Sequence, residues 1–297
     1  MGNEDVGSTN PSSNTVHHFI RSWASISAGN GLNGPLPSHD RTVVQDPEGL
    51  ESAFLRHHWS VAEPIFLDSE PISQRLSDKV RATFSLSKPQ ISRLKNWANS
   101  QITKSTQFSS FVVTCSVVWV SFIMSRELIS GGCGAEDEAC CFAFTANCRN
   151  ERLGYRIPAE YFGNCFAFCL TTVEKSELLG ENGLVVAMKA IEKRVGEVKK
   201  ETLKDAMAET TVWKEFVERG TMLCAVGSPR LGAYDTSFGW GRPIKTEVVQ
   251  VDRGRLFSIG ESRNENGGIE VGLGLGSTHM ASFVAVWEQN LKLLGCS

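Results

Sequence analysis

The sequence predicts a fold that mixes strands and helices, either α/β or α+β, and two observations support that prediction. Short segments in which apolar and polar residues alternate, as they do along half-buried strands, fall between longer segments whose apolar residues recur every three or four positions. The composition is that of a globular protein, with 41% hydrophobic and 21% charged residues. A length of 297 residues suits one large domain or about two ordinary ones.

The first elements are helical and loop-rich. Residues 1–14 are polar and predict a disordered leader. A helix is expected from Thr15, capped by Asn14 or Thr15, because apolar residues then recur on one face. Glycines and prolines between residues 29 and 37 end that helix. A loop-rich stretch with a short helix near 47–58 leads to about residue 80. The apolar stripe of the first helix consists of Val16, Phe19, Ile20, Trp23 and Ile26.

The remainder of the chain alternates strands with helices. Ser87 is predicted to cap a helix that has Pro89 in its first turn and Gln90 three residues after the cap, an arrangement typical of a capping box. One long amphipathic helix or two are expected over 184–217, and a closing helix over 277–294. Strands are expected at 79–85, 139–148, 164–172, 222–227, 246–252, 255–260 and 268–274.

One uncharged stretch, residues 108–124, raises the question of a membrane span. Its 17 residues are at the short limit for crossing a bilayer, and five of them are Ser or Thr. A buried core helix is the better interpretation, so no membrane partner is expected.

Charge and cysteine usage narrow the class of protein. The net charge is −3 and no basic stripe is present, which argues against nucleic acid as a main partner. The first fifteen residues are polar, so no signal peptide is expected, and nine cysteines without one indicate reduced thiols in the cytosol. The cluster formed by Cys133, Cys140, Cys141 and Cys148 lacks a clean C-x-x-C pair, so we predict no metal site and no bound cofactor.

Two short motifs stand out. In Ser237-Phe238-Gly239-Trp240-Gly241, glycines at alternate positions indicate a turn that needs positive φ, pinned by a buried tryptophan. The motif holds no nucleophile or base. Tyr161-Phe162-Gly163-Asn164-Cys165 is, taken alone, typical of a strand start with an aromatic pair in the core.

Together these motifs resemble those of the plant BAHD acyl-CoA-dependent acyltransferases. The first is similar to the family's Asp-Phe-Gly-Trp-Gly motif, and the second to the Tyr-Phe-Gly-Asn-Cys motif of the anthocyanin, flavonoid and phenolic glucoside branch. Further matches extend the resemblance over about residues 17–295: 19–26, 40–43, 227–230 and 267–272.

The resemblance implies a fold and a domain division. The family has a two-domain α/β architecture like that of chloramphenicol acetyltransferase, with a solvent channel between the domains. By that resemblance, residues 15–80 are the end of the first domain plus the crossover loop, residues 81–297 are the whole second domain, and the chain is truncated at its N-terminus.

The family's general base is a histidine in a His-x-x-x-Asp-Gly motif just upstream of the first helix. A base of near-neutral pKa suits the removal of a proton from an acceptor hydroxyl. None of the six histidines has an aspartate four residues later, so we predict that this base is absent. The six are His17, His18, His39, His57, His58 and His279; His17 and His18 are expected to be surface residues at the helix start.

The resemblance also assigns roles to residues. Gly227, Ser228 and Arg230 are expected to line the acyl-CoA channel, with Arg230 a candidate for a CoA phosphate or an acyl carboxylate. Residues 161–165 are expected to shape the pocket, and Arg21 is a further candidate for a malonyl carboxylate. Ser237 stands where the family has an aspartate that pairs with an arginine, for which Arg149 is the candidate here.

The function implied is O-acyl transfer from an acyl-CoA, such as malonyl-CoA, to a hydroxyl of a phenolic or flavonoid glucoside. Its partners are those two small molecules, and the family resemblance implies a monomer. The competing hypothesis is a non-catalytic truncated relic or a protein that binds CoA-like ligands, because the His-x-x-x-Asp motif is missing and Ser237 replaces the aspartate.

Overall fold

A six-stranded mixed sheet with helices packed around it organises the described part of the chain. The computed structural model describes residues 11–32, 34–60, 78–102, 106–132, 138–149, 153–200, 221–248 and 255–293, with seven single positions between 202 and 219. Ahead of the sheet lie helix α1 (Pro11–Ser27), a 3-10 turn (Arg41–Val43) and helix α2 (Leu50–Ser60).

Helix α1 begins earlier than the sequence predicts. It starts at Pro11, so Asn14 and Thr15 lie inside the helix and do not cap it, and residues 11–14 are helical and not part of a disordered leader. Proline is favoured in a first helical turn, because its missing N–H has no intrahelical partner there. Residues 1–10 lie outside the described residues.

The apolar stripe of α1 does share one face, but most of that face points outward. Val16, Phe19, Trp23 and Ile26 are each more than half exposed, whereas Ala24 is buried. The polar side of the helix, including Ser22, packs against the rest of the molecule instead.

The sheet has the order β1-β6-β5-β4-β2-β3. The edge strand β1 pairs antiparallel with β6, β4 pairs parallel with β5 and with β2, and β3 pairs antiparallel with β2. The strands are β1 (Lys79–Leu86), β2 (Ala139–Asn147), β3 (Phe166–Glu174), β4 (Met222–Val226), β5 (Leu256–Glu261) and β6 (Ile269–Gly276).

Helix α3 (Lys88–Ser100) confirms the predicted capping box. The Ser87 hydroxyl accepts the Gln90 N–H at 3.3 Å, and the Gln90 side chain accepts the Ser87 N–H at 2.9 Å. Two donors that a helix start leaves without a partner are therefore satisfied reciprocally.

Helix α4 (Ser110–Ser130) is the central core helix, as predicted for the uncharged stretch. By length and composition it passes the test for a membrane span, but 72% of its most apolar window is buried inside the fold. It packs between the sheet, where Phe111 meets Phe144, and the closing helix α7 (Ser277–Leu293). Helices α5 (Lys175–Leu179) and α6 (Gly183–Lys200) complete the layer.

Two predicted boundaries change. The expected strand at 246–252 is not a strand over its described residues 246–248, because the Thr246 N–H is bonded to the Tyr234 hydroxyl at 3.3 Å and not to a neighbouring strand. Of the one long helix or two predicted over 184–217, α6 is the first and ends at Lys200. The described positions 206, 212, 215 and 216 are helical, as a second helix requires, and most of that stretch lies outside the described residues. The glycine-rich residues 272–276 lie in β6, which confirms the strand predicted at 268–274.

Candidate functional site

A cavity of about 640 Å³ lies at one end of the sheet. Its walls come from the start of α4 at Ser109, from α6, from the loop after β4 and from the β5–β6 hairpin. Four cations and four carboxylates line it: Lys199, Arg230, Arg242 and Arg263 with Glu192, Asp235, Glu261 and Glu265. The wall is therefore formally neutral, although it is rich in charge.

Several of these charged groups already have hydrogen-bond or ion-pair partners. Glu265 accepts the Lys88 N–H at 3.0 Å, and Asp235 lies 3.9 Å from the Arg242 guanidinium. Glu192 is different: its Oε2 is buried without a hydrogen-bond partner among the described residues. Burial raises the pKa of Glu192, and the nearby Lys199 opposes that rise. Glu192 is therefore a cavity-lining residue with one buried acceptor that no described group satisfies.

The loop after β4 carries Arg230 to the cavity wall. Gly227 has φ of +90°, and a Cβ there would lie 2.7 Å from the Ile259 carbonyl, so the close approach of loop and β5 requires glycine. Ser228 is buried, and its hydroxyl accepts the Arg230 N–H at 3.3 Å. Of the three residues predicted to line a channel, Arg230 does line this cavity, while Gly227 and Ser228 shape the loop behind it.

Arg21 faces this same loop. Its guanidinium Nη2 donates to the Leu231 carbonyl at 2.6 Å and to the Gly232 carbonyl at 2.8 Å. His17, one turn earlier on α1, has its pKa lowered by burial and by the charge of Arg21, with Glu261 acting in the opposite direction. Helix α1 is thus joined by a charged side chain to the loop that carries Arg230.

The segment Ser237–Gly241 lies beside α1 and adopts the predicted turn, with φ of +96° at Gly239 and +100° at Gly241. The expected buried tryptophan is wrong: Trp240 is 92% exposed. The rings of Phe19, Trp23, Phe238 and Trp240 instead form a continuous series with centroid separations of 6.2, 5.2 and 6.0 Å, which we call the aromatic strip. Trp23 and not Trp240 makes the edge-on contact that supports Phe238.

Carboxylates from the sheet hold the loop that leads into this turn. The Tyr234 ring is buried, and its hydroxyl donates to Glu270 Oε2 at 2.9 Å. The Arg242 Nε donates to the Tyr234 carbonyl at 3.0 Å, and the Arg263 Nε donates to the Pro243 carbonyl at 2.8 Å. Sequence reasoning did not identify Glu261, Glu270 or Arg263 as site residues, although Glu270 lies in the matched segment 267–272.

Arg149 does not contact Ser237, which corrects the predicted pairing. The Ser237 hydroxyl accepts the Gly239 N–H at 3.3 Å within its own turn. Arg149 is buried and donates to the carbonyls of Tyr161 at 3.0 Å and Gly163 at 2.7 Å. It therefore holds the 161–165 motif through two of its carbonyls, of which that of Tyr161 also accepts the Gly163 N–H at 3.2 Å.

Residues 161–165 lie away from the large cavity. The Phe162 ring lines a separate apolar groove of about 420 Å³ with α1, and its N–H donates to the Ser38 carbonyl at 2.7 Å. Tyr161 and Cys165 are buried in the core, and burial raises the pKa of the Cys165 thiol. The predicted site residues thus divide between the cavity (Arg230), the loop behind it (Arg21, Gly227, Ser228) and the groove side (161–165).

The histidines whose side chains are described do not line the cavity. His18 lines the apolar groove, His39 lies 4.9 Å from the Phe162 ring, and His279 contacts Ser125. The side chains of His57 and His58 are outside the described residues. Among the described residues no group of three metal-ligating side chains occurs.

A six-stranded sheet that carries helices, with a polar cavity at its end, defines an α/β domain, and comparison with known proteins shows its family. A model of the transferase family matches residues 13–290. The chain therefore belongs to this family, the BAHD acyl-CoA-dependent acyltransferases.

Relatives in the family include enzymes that acylate glucosides. The chain is 33% identical over 295 residues to coumaroyl-CoA:anthocyanidin 3-O-glucoside-6''-O-coumaroyltransferase 2 of Arabidopsis thaliana. That alignment covers 94% of this chain and 61% of the relative. It is 32% identical to phenolic glucoside malonyltransferase 2 of the same plant, covering 93% and 62%. It is also 32% identical to a malonyl-coenzyme A:anthocyanin 3-O-glucoside-6''-O-malonyltransferase of Dahlia pinnata, covering 97% and 63%. The chain thus spans less than two thirds of these relatives.

The fold is shared with a protein of known structure. The crystal structure of vinorine synthase matches with a TM-score of 0.66 at 17% identity, over 91% of this chain and 57% of that chain. This likeness confirms the predicted acyltransferase fold.

Proposed function

We propose that the protein takes part in O-acyl transfer from an acyl-CoA to a sugar hydroxyl of a phenolic or anthocyanin glucoside. The observation that supports this most is the charge-balanced cavity beside Arg230. Guanidinium, carboxylate, amide and hydroxyl groups on one wall offer both donors and acceptors, as a ligand with many hydroxyl groups requires. Relatives named as glucoside acyltransferases support the same substrate class.

The reaction would join the acceptor oxygen to the thioester carbonyl carbon and release the CoA thiol, with the hydroxyl proton leaving to a base. Arg230 would bind an anionic or carbonyl oxygen at the cavity, because guanidinium is a strong, permanently charged donor. Both malonyl and coumaroyl donors occur among the relatives' names, and we favour malonyl because Arg230 offers a partner for its free carboxylate.

A second candidate function is ligand binding without turnover. It is favoured by the six histidines, none of which is followed by aspartate four residues later, and by the absence of His17, His18, His39 and His279 from the cavity wall. Under this proposal acyl-CoA or a glucoside still binds, but no acyl group moves.

One experiment separates these proposals. Phenyl glucoside, phenol, malonyl-CoA and coumaroyl-CoA are titrated calorimetrically, and CoA release is measured as free thiol when donor and glucoside are combined. Acyl transfer predicts binding of a donor and the glucoside, weaker binding of phenol, and thiol release. Binding without thiol release supports the second function. If none of the probes binds, both proposed functions are refuted.

A further inference from the structure

We propose that Arg21 and Glu261 are positioning residues that clamp the loop carrying Arg230, and that Gly232 provides the space the clamp needs. This inference rests on the proposed function, since it concerns the wall of the same cavity. It assigns Arg21 a role through the loop and not through direct contact with a ligand.

The clamp closes on four consecutive residues, Leu231–Tyr234, which we call the clamped loop. From the α1 side, Arg21 donates to the carbonyls of Leu231 and Gly232 at 2.6 and 2.8 Å. From the sheet side, Glu261 Oε2 accepts the Gly232 N–H at 2.9 Å, and Oε1 accepts the Tyr234 N–H at 3.0 Å. Two charged side chains of opposite sign thus satisfy four backbone groups of one loop.

These bonds are of the strong kind. Hydrogen bonds with one ionised partner are shorter and about twice as strong as neutral ones. Arg21 is only partly exposed, and its Nε is buried without a hydrogen-bond partner among the described residues. Because its Nε has no described acceptor, the Arg21 guanidinium is held in place by the two bonds that its Nη2 donates.

Gly232 fits the clamp sterically. Its φ is +61°, and a Cβ added there would overlap the Arg21 guanidinium. The loop and the guanidinium can approach this closely because residue 232 lacks a side chain. Arg21 and Gly232 are therefore parts of one packing arrangement although 211 positions separate them.

The clamped loop sets the position of Arg230. Arg230 is the residue before Leu231, and its own N–H is bonded to the Ser228 hydroxyl. The backbone of Arg230 is fixed on both sides, by Ser228 and by the first clamped carbonyl. Glu261 and Arg230 line the same cavity, so the clamp is built into the wall that it orders.

Ligand affinity tests the functional part of this inference. With malonyl-CoA and phenyl glucoside as probes, R21A and E261Q should each weaken the binding of at least one probe about tenfold or more, which corresponds to about 1.4 kcal/mol. The matched surface controls R93A and E288Q, on exposed parts of α3 and α7, should leave affinity unchanged. Affinities of R21A and E261Q within about twofold of wild type would overturn the inference.

A double-mutant cycle tests the steric coupling. G232A should weaken binding as much as R21A does, because its Cβ displaces the guanidinium. In the R21A background G232A should add less than about threefold, since residues that share one contact are not additive. Full additivity of the two changes would contradict the clamp.

Amide hydrogen exchange separates a failed clamp from a failed function. In R21A and E261Q the amides of Gly232 and Tyr234 should exchange faster, whether or not either probe binds. If wild type binds no probe but these amides lose protection in the variants, the proposed function fails while the clamp stands. Unchanged protection would refute the clamp itself, and E261D, which keeps the charge, should restore part of it.

Discussion

Replacing Arg149 by methionine should lower the free energy of unfolding by about 2–3 kcal/mol. Arg149 is only 3% exposed and donates to the carbonyls of Tyr161 and Gly163. A hydrogen bond to a charged group contributes about 1.5–3 kcal/mol, so losing these two costs roughly 3–6 kcal/mol. The Gly163 carbonyl loses its charged donor, whereas the Tyr161 carbonyl keeps the Gly163 N–H at 3.2 Å. Methionine keeps much of the apolar contact of the arginine stem.

A second effect of opposite sign makes the net loss smaller. The Arg149 Nε is buried and lacks a hydrogen-bond partner among the described residues, which costs about 1–3 kcal/mol in the native protein. R149M removes that buried donor together with the guanidinium. The lost bonds outweigh this relief, because Nη2 donates two bonds to carbonyls and Nη1 donates a third, to Asn147 Oδ1 at 3.4 Å, all from the charged group.

Urea unfolding followed by tryptophan fluorescence checks the estimate, with R93M on an exposed turn of α3 as the control for the chemical change. R149K should fall between wild type and R149M, since one ammonium cannot reproduce the planar fork. If R149M unfolds within about 0.5 kcal/mol of wild type, or if R93M is equally destabilised, the argument that Arg149 holds the 161–165 motif is refuted.

Three further predictions concern the sheet and its helices. Burial first, and then the charge of Arg126, lower the pKa of His279 below 6.5. The unfolded state therefore binds the proton more tightly, and the free energy of unfolding falls as the pH drops through 6.5. Urea unfolding at pH 7.5 and 5.5 should show a smaller pH effect in H279Q than in wild type, and an equal effect would contradict this. S87A should cost about 1 kcal/mol of unfolding free energy by removing the capping box, whereas S92A on the exposed face of the same helix should cost less than 0.5 kcal/mol. A Cβ at Gly272 would overlap the Ser258 hydroxyl, so G272A should lower the free energy of unfolding by about 1–3 kcal/mol. In the double variant, S258A should recover most of that loss. A double variant that melts no higher than G272A would show that the clash is not the cause.

Local patterns predicted elements well because their causes are local. The capping box at Ser87 needs only three residues, and the alternation over 79–85 is a property of one strand. The anchors of the cavity loop have no such signal. Arg21 bonds across 210 and 211 positions and Glu261 across 27 and 29, so their pairing follows from the sheet order and not from spacing in the sequence.

The 237–241 turn shows a different limit. Alternate glycines correctly predicted positive φ at Gly239 and Gly241, because φ is a local property. The same residues gave no information about which side of the turn faces solvent, and Trp240 proved to be exposed. Similarly, the spacing along α1 identified which residues share a face, but not whether that face is covered.

The aromatic strip leads to the last prediction. Exposed apolar surface that is continuous over several large side chains promotes association, and the strip joins α1 to the 237–241 turn without interruption. We expect concentration-dependent self-association in sedimentation velocity, and we expect the variant F19S/W23S to shift the protein to smaller species. Phe19 and Trp23 are 62% and 56% exposed, so the variant should unfold with little loss of stability, in contrast to the roughly 3–5 kcal/mol that each buried aromatic would cost. Sedimentation identical to wild type would show that the strip does not drive association, and a loss of several kcal/mol would show that this face of α1 packs against other side chains.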